Sequence, residues 1–267
     1  MNQKQTPNGI GGGLPQLSLR FIPVWRRNTR VWRKLMVPSI MGNFGEPLLY
    51  LLALGYGFGR LVGEVNGLPY MVFLASGVIC SSAMTTASFE AMYSAYTRFS
   101  QQQTWAAMLG APLTVDDVVL GEVAWGATKA LMSATAILVV ASLLGLVADP
   151  RAVLALPVVL LTGFCFAAMA MVVTALARSY DFFLYYFTLV MTPMLLLSGV
   201  FFPLQELPGA VVAGAWCLPL AHAVAVVRPL LIGEWPTLVV LHLGVITAYA
   251  VVGLSLATWL LRRRIMK

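Results

Sequence analysis

The stretch "SGVFFPLQELPGAVVAGAWCLPLAHAV", Ser198–Val224, is too apolar for a loop bathed in water. It is also too interrupted, by Pro203, Pro208, Gly209 and Pro219, for one unbroken membrane helix. Irregular backbone at membrane depth is tolerated only where protein or a water-filled cavity satisfies its N–H and C=O groups. Two apolar pieces, about 207–217 and 219–232, are each shorter than the roughly 20 residues that cross hydrocarbon. The stretch therefore reads as a re-entrant hairpin of two half-helices forming an outer lid. Glu206, Pro208, Pro219, His222 and Arg228 belong to this outer gate, with Glu206, His222 and Arg228 at its wet rim.

A hairpin of this kind requires a chain that is otherwise in the bilayer, and the composition agrees. Of 267 residues, 60% are hydrophobic and 10% charged, where a soluble domain is about 25% charged. Apolar runs of spanning length fall near 36–60, 69–91, 118–147, 152–177, 182–202 and 236–261. Almost none has the charged face that a helix covering a soluble core needs. The expected fold is an all-α, polytopic membrane protein with six transmembrane helices. The N-terminal "MNQKQTPNGIGGGLPQLSLR" lacks an apolar core segment, so no cleavable signal is expected.

Arginine and lysine orient the spans. With the N-terminus in the cytoplasm, that side collects Lys4, Arg20, the cluster from Arg26 to Lys34, Arg98, Arg178, Arg262, Arg263, Arg264 and Lys267. The opposite side keeps Arg60, Arg151 and Arg228, an asymmetry that places both termini inside. The net charge of +7 sits at membrane edges, so it reads as topology and not as a nucleic-acid footprint. Cys80, Cys165 and Cys217 are far apart in or near apolar stretches and read as buried thiols, with neither a disulfide framework nor a metal pattern.

Polar residues inside spans carry the functional signal. Before the first span, Val24, Trp25, Val31, Trp32, Leu35 and Met36 share a helical face surrounded by basic residues. This predicts an amphipathic helix over Val24–Met36, lying on the inner leaflet with its tryptophans at the headgroups. In the first span Asn43, Glu46 and Tyr50 share a face, and a glutamate there must face protein or water. It lines a translocation path or is a satisfied carboxylate at a helix contact. Span two carries Ser76, Ser81, Ser82, Thr85, Thr86 and Ser88, which bond to their own helix and glue neighbours or, by their density, mark the wet side of a pathway. In span three Glu122, Trp125 and Lys129 share a face; Lys129 lies deeper and needs a partner, Glu122 or Glu46, unless its stem snorkels. Asn43, Glu46, Tyr50 and Lys129 are thus the candidate pathway residues. The aromatic run from Tyr180 to Phe187 is an interface belt or a sugar-stacking surface.

Between spans two and three the apolar pattern breaks in "YTRFSQQQTWAAMLGAPLTVDD". A short helix, Gln101–Leu109, stopped by Gly110 and Pro112, reads as a knob for a soluble partner that presents Trp105 and Met108 at a polar surface. Thr114 caps the next helix, with Asp116 and Asp117 at its positive end.

These segments resemble a known family, the membrane subunits of type-2 ATP-binding-cassette (ABC) exporters, and within it the NodJ nodulation-factor export permeases. The resemblance lies in "EPLLYLLALGYGFG" (Glu46–Gly59), "QQTWAAMLGAPLTVDDVVLGEVAWGATKA" (Gln102–Ala130), "YFTLVMTPMLLLSGVFFPLQELP" (Tyr186–Pro208) and "LPLAHAVAVVRPLL" (Leu218–Leu231). It implies one transmembrane domain over 1–267, with a cytoplasmic tail and amphipathic helix (1–35) and a six-helix region (36–267). It also implies a homodimer in the bacterial inner membrane, in contact with membrane lipids and with copies of a separate cytoplasmic ATPase docked beneath. The short connector helix becomes the coupling segment, with Gln103, Thr104, Trp105, Met108 and Leu109 in that role. The implied cargo is an amphipathic glycan or glycolipid such as a lipo-oligosaccharide. Where many members carry a charged residue near the tryptophan, this chain has Ala106 and Ala107.

No G-x-x-x-x-G-K-[ST] loop is present in the sequence, so ATP hydrolysis is expected in that separate subunit, with no catalytic residue, cofactor or metal in this chain. Two other readings are a proton-coupled secondary transporter working through Glu46 or Lys129, and a membrane acyl or glycosyl transferase using His222 and Glu206. The first shows no inverted repeat, and the second rests on two outer histidines.

Overall fold

A computed structural model of the chain describes residues 15, 18–34, 36, 45 and 48–265. Its helices are α1 (Phe21–Lys34), α2 (Tyr50–Val62), α3 (Tyr70–Gln101), α4 (Thr104–Leu109), α5 (Val115–Leu143), α6 (Pro150–Leu176), α7 (Asp181–Leu197), α8 (Gly209–Ala215), α9 (Pro219–Leu231) and α10 (Val239–Ile265). A two-stranded antiparallel hairpin, β1 (Glu64–Val65) with β2 (Leu68–Pro69), joins α2 to α3. Asn66 and Gly67 close it with φ of 54° and 74°, the backbone that a tight hairpin turn needs.

Four helices, α3, α5, α6 and α10, are long and apolar enough to cross a membrane among the described residues, and five if α8 and α9 count as one broken span. The expected runs 69–91, 118–147, 152–177 and 236–261 correspond to these four. The fifth expected run is shorter than a span: α7 ends at Leu197, before a turn in which Gly199 takes a φ of 74°. The run 36–60 is described only in part, and Asn43 and Glu46 lie outside the described residues. The opening stretch folds as two short helices bent by 87°, with Pro219 opening the second.

The helix α3 is the central member, with 78% of its apolar window buried against 28% for α10 at the edge. It packs on α5, α6 and α9, and α6 packs on α10. Small residues make these approaches possible: a Cβ on Gly163 of α6 falls 2.6 Å from the Cβ of Ala130 on α5.

Arginines pin the basic end of the bundle. Arg262 of α10 pairs with Asp116 in the first turn of α5, its Nε donating to Oδ1 at 2.7 Å. Arg264 donates to the free carbonyls of Thr174 and Ala175 at the end of α6 (3.1 and 2.9 Å), where a helix leaves its last C=O groups without partners. Arg263 stacks over Trp259 at 3.8 Å. At the other end, Arg151 donates to the Gly233 carbonyl at 2.8 Å and lies 5.5 Å from the Trp235 ring.

Two expectations need correction here. The helix α1 starts one turn earlier than predicted, at Phe21, and its tryptophans face protein, not headgroups. Trp25 Nε1 donates to Thr128 Oγ1 on α5 at 2.9 Å, and Trp32 meets Trp125 edge-on at 6.0 Å. The stripe that α5 covers, Phe21, Val24, Trp25, Asn28 and Trp32, has helical spacing, so burial against α5 decides the rotation of α1. Of the cysteines, Cys80 and Cys165 are buried and free as expected, whereas Cys217 is exposed.

Candidate functional site

A cavity of about 430 Å³ opens along α3 from Val78 to Ser94, a run that covers about 24 Å of helix axis at 1.5 Å per residue. Ser81, Ser82, Thr85 and Thr86 give it a hydroxyl wall, and Tyr50, Phe89, Tyr93, Phe187 and Phe201 an aromatic one. The hydroxyls are modest in their demands: Ser81 and Thr85 donate to the carbonyls of Val78 (3.1 Å) and Ser81 (2.8 Å) in their own helix. Ser82 meets Ser133 of α5 at 2.7 Å. These groups bond locally and to α5, as the first reading of span two expects, and Ser81, Ser82, Thr85 and Thr86 also line the cavity.

Two charged residues, Glu90 and Lys129, stand at the cavity's basic end. Lys129 Nζ donates to Glu90 Oε2 at 2.9 Å, so its partner is a carboxylate on α3 and not Glu122. Glu90 Oε1 accepts from Trp125 Nε1 (3.1 Å) and from Arg98 Nη2 (2.9 Å). Arg98 then spans to Glu122, donating from Nε to Oε1 at 2.9 Å and from Nη2 to Oε2 at 2.5 Å. Glu122 also accepts from Asn28 of α1 (3.0 Å) and from Trp105 of α4 (3.2 Å). Both carboxylates are buried, and each is compensated by a cation and several N–H donors, the condition under which buried charge persists. One hydrogen-bonded chain thus runs from Trp105 through Glu122, Arg98 and Glu90 to Lys129 on the cavity wall. It ties α1, α3, α4 and α5 together. Outside it, burial and the nearby Arg98 lower the proton affinity of the Arg27 guanidinium, which donates to Asn28 Oδ1 at 3.0 Å.

In the sequence Arg98 stands out only as a topology marker, and Glu90 is not among the candidate pathway residues. Their spacing of eight residues put them on one helical face, with the glutamate inside an apolar run; that was the available signal.

Trp105 is buried, packed 5.2 Å from Phe99, so it does not face a polar surface as predicted. The helix itself starts at Thr104, following Gln103 at a φ of 50°. Its outward face consists of Gln103, Ala106 and Ala107, while Thr104, Met108 and Leu109 are half-buried. The expected cap on α5 is present: Thr114 Oγ1 accepts from the Asp117 N–H at 3.2 Å, and Asp117 Oδ2 accepts from the Thr114 N–H at 2.9 Å.

At the opposite end, Glu206 is exposed as expected and lines a separate cavity of about 460 Å³ beside β1, and Pro208 is exposed too. Pro219 is buried, and His222 and Arg228 are not at a wet rim. His222 Nε2 faces the Trp216 carbonyl at 2.9 Å and therefore carries a proton. Its Nδ1 meets His242 Nδ1 across 2.7 Å, joining α9 to α10. Arg228 lies over the Phe73 ring at 3.7 Å and donates to Ser76 Oγ (2.9 Å) and the Gly199 carbonyl (2.6 Å). It clamps α9 to α3 and to the turn after α7. Arg228→Met is expected to cost about 1–3 kcal/mol by leaving the Gly199 carbonyl unpaired. A lower thermal midpoint in detergent and faster proteolysis within 198–218 check this.

The aromatic run divides. Tyr180 and Phe183 pack on Tyr93 and Tyr96, Phe187 lines the cavity, and Phe182 and Tyr185 are exposed. Among the described residues no cluster of three or more His, Cys, Asp or Glu side chains is placed to hold a metal ion.

The family described as ABC-2 type transporter matches residues 21–232. Nodulation protein J of Rhizobium meliloti (strain 1021) is 49% identical over 253 residues, 95% of this chain and 97% of that protein. Nodulation protein J of Bradyrhizobium diazoefficiens is 40% identical over 260 residues, 97% of this chain and 99% of that protein. The inner membrane transport permease YadH of Escherichia coli (strain K12) is 29% identical over 185 residues, 68% of this chain and 69% of that protein. No solved structure matches the chain.

Proposed function

Because the chain belongs to the ABC-2 type transporter family, we propose that it is the membrane-spanning subunit of an ATP-driven exporter. Two copies form the permease, and a separate cytoplasmic ABC ATPase drives them from below. The cargo is an amphipathic lipo-oligosaccharide or similar glycolipid, moved outward across the bacterial inner membrane, as the resemblance to the nodulation-factor export permeases implies. In this reading the chain crosses six times, with α2 and α7 belonging to the two remaining spans and both termini in the cytoplasm. The bent pair α8–α9 closes the outer side, and α1 rests at the inner leaflet.

The observation that carries the reading is the hydrogen-bonded chain from Trp105 to Lys129. It joins the cytoplasmic connector helix, where an ATPase docks, to the cavity. A shift of α4 is thereby transmitted to the cavity wall through bonds that cannot be broken cheaply in a dry interior. Gln103, Ala106 and Ala107 offer the docking face, while Trp105, Met108 and Leu109 anchor it. Asn43, Glu46, Tyr50 and Lys129 remain the proposed pathway residues, joined by Glu90. Of the two carriers expected for a proton-coupled mechanism, Lys129 is held in an ion pair with Glu90 and Glu46 lies outside the described residues. A transferase needs a free imidazole, and both nitrogens of His222 are engaged.

Separating docking from transmission tests this. Ala106→Glu alters only the exposed face and is expected to weaken copurification of the ATPase. Trp105→Phe keeps an aromatic ring in the site but removes the N–H to Glu122. It is expected to leave the complex assembled and to cut transport per ATP about tenfold, since one such bond is worth on the order of 1.4 kcal/mol. Full coupling in the Trp105→Phe complex, measured as export against phosphate release, counts against transmission through this chain.

A further inference from the structure

A second cavity of about 300 Å³ lies beside the first, at the basic end between α1 and the ends of α3 and α5. Arg27, Asn28, Trp32, Arg98 and Gln102 line it, and none of them lines the 430 Å³ cavity along α3. Three residues line both: Glu90, Ser94 and Lys129. The bonded pair Glu90–Lys129 is therefore the shared wall between a vestibule at the level of α1 and the hydroxyl-lined chamber.

We propose that the Glu90–Lys129 ion pair is a selective partition between these two chambers, passing headgroups that replace its hydrogen bonds and rejecting those that cannot. This rests on the exporter reading, because it assumes that cargo moves from vestibule to chamber. The selectivity follows from desolvation. Parting the pair exposes an ammonium and a carboxylate oxygen to whatever enters, and unpaired buried charge is strongly disfavoured. A neutral polyhydroxylated head donates to Glu90 and accepts from Lys129 at once, so the opened state stays satisfied. An alkyl or ester head offers no donor, and an anionic head meets Glu90. The favoured class is thus a neutral head rich in hydroxyl or amide groups on an apolar tail. Arg98 and Trp125 hold Glu90 Oε1 while Oε2 faces Lys129, so the partition opens on the lysine side without freeing the carboxylate from α5.

Lys129→Met keeps most of the side-chain length and removes the charge, while Glu90 retains two donors; Glu90→Gln keeps shape and removes the charge from the other side. Each is introduced with Thr85→Cys, a chamber position, in a Cys217→Ser background, since Cys80 and Cys165 are buried. Gln102→Cys reports on the vestibule. A small charged thiol reagent is applied from the cytoplasmic side of membranes holding the complete complex without ATP. With the native pair, Thr85→Cys is expected to label at least tenfold more slowly than Gln102→Cys; in either variant the two rates converge, and Lys129→Arg restores the difference. Export is followed in parallel with two probes of identical tail, one carrying a neutral sugar and one a methyl ester. The native pair is expected to favour the sugar at least tenfold, and Lys129→Met to narrow this to about twofold. Unchanged Thr85→Cys labelling in both variants, or unchanged selectivity, overturns the partition. If the native complex moves neither probe under ATP, the exporter reading fails instead, and the labelling rates alone decide whether the pair is a barrier.

Discussion

Replacing Glu122 by alanine is expected to produce the largest loss of any single substitution in the basic half of the bundle. Its side chain is fully buried and accepts from three residues on three different helices, Asn28 on α1, Arg98 on α3 and Trp105 on α4. Truncation leaves Arg98 with a single carboxylate partner and strands the buried amide of Asn28 and indole N–H of Trp105. Removing one member of a buried pair costs up to about 3–5 kcal/mol when the other charge is left wholly uncompensated, and here Glu90 still offsets part of the Arg98 charge. The variant should show a much lower thermal midpoint in detergent, poor recovery of the ATPase subunit, and no measurable export. Glu122→Gln keeps the volume and is expected to recover part of the stability but not the coupling. A Glu122→Ala protein that melts with the native one shows that the network carries no net stability.

Gly121→Val is the second. Gly121 sits on the face of α5 that receives α1, and a Cβ there falls 2.6 Å from Val24 Cβ and 3.0 Å from the Phe21 carbonyl oxygen. Neither atom is the tip of a flexible side chain, so the two helices must separate. Overpacking of this kind costs about 1–3 kcal/mol. Separation also draws Asn28 away from Glu122 and Trp25 away from Thr128. Limited trypsin digestion at the exposed Arg26 and Arg30 should quicken several-fold, with export falling in step. Gly244 provides the contrast on α10, where an added Cβ meets nothing within 4 Å. Gly244→Ala is expected to be neutral or stabilising by up to about 1 kcal/mol through helix propensity.

The contrast between these positions shows what the sequence made legible. The break of the stretch from Gly209 to Leu231 into two short helices was readable because proline and glycine punctuate an apolar run at fixed places. Likewise, the Thr114 cap was readable because a hydroxyl three residues ahead of a carboxylate is a local motif. The amphipathic character of α1 was readable too, but not its partner: tryptophans on an apolar face suit a headgroup layer and a protein groove equally well, and only the packing of α5 distinguishes them.

Partner choice among charges was the least legible. Lys129 shares a helical face with Glu122, yet pairs with Glu90 on another helix, because adjacency between α3 and α5 is a tertiary fact. Arg98 read as one more cytoplasmic cation, although it joins two buried carboxylates. A six-residue helix such as α4 carries too little periodicity to fix which face is buried, so the inward turn of Trp105 could not be read. The contact of His222 with His242 depends on how the chain turns after α9, which no local pattern encodes.

Reconstitution tests the central claim most directly. The chain is placed in vesicles alone and with its cytoplasmic ATPase, and transfer of a fluorescent lipo-oligosaccharide to the outer-facing side is followed with ATP and with an uncoupler. The account predicts no transfer by the chain alone, and ATP-dependent transfer with the ATPase that continues after the proton gradient is collapsed. Transfer by the chain alone, or transfer with the ATPase that ends with the gradient, contradicts it.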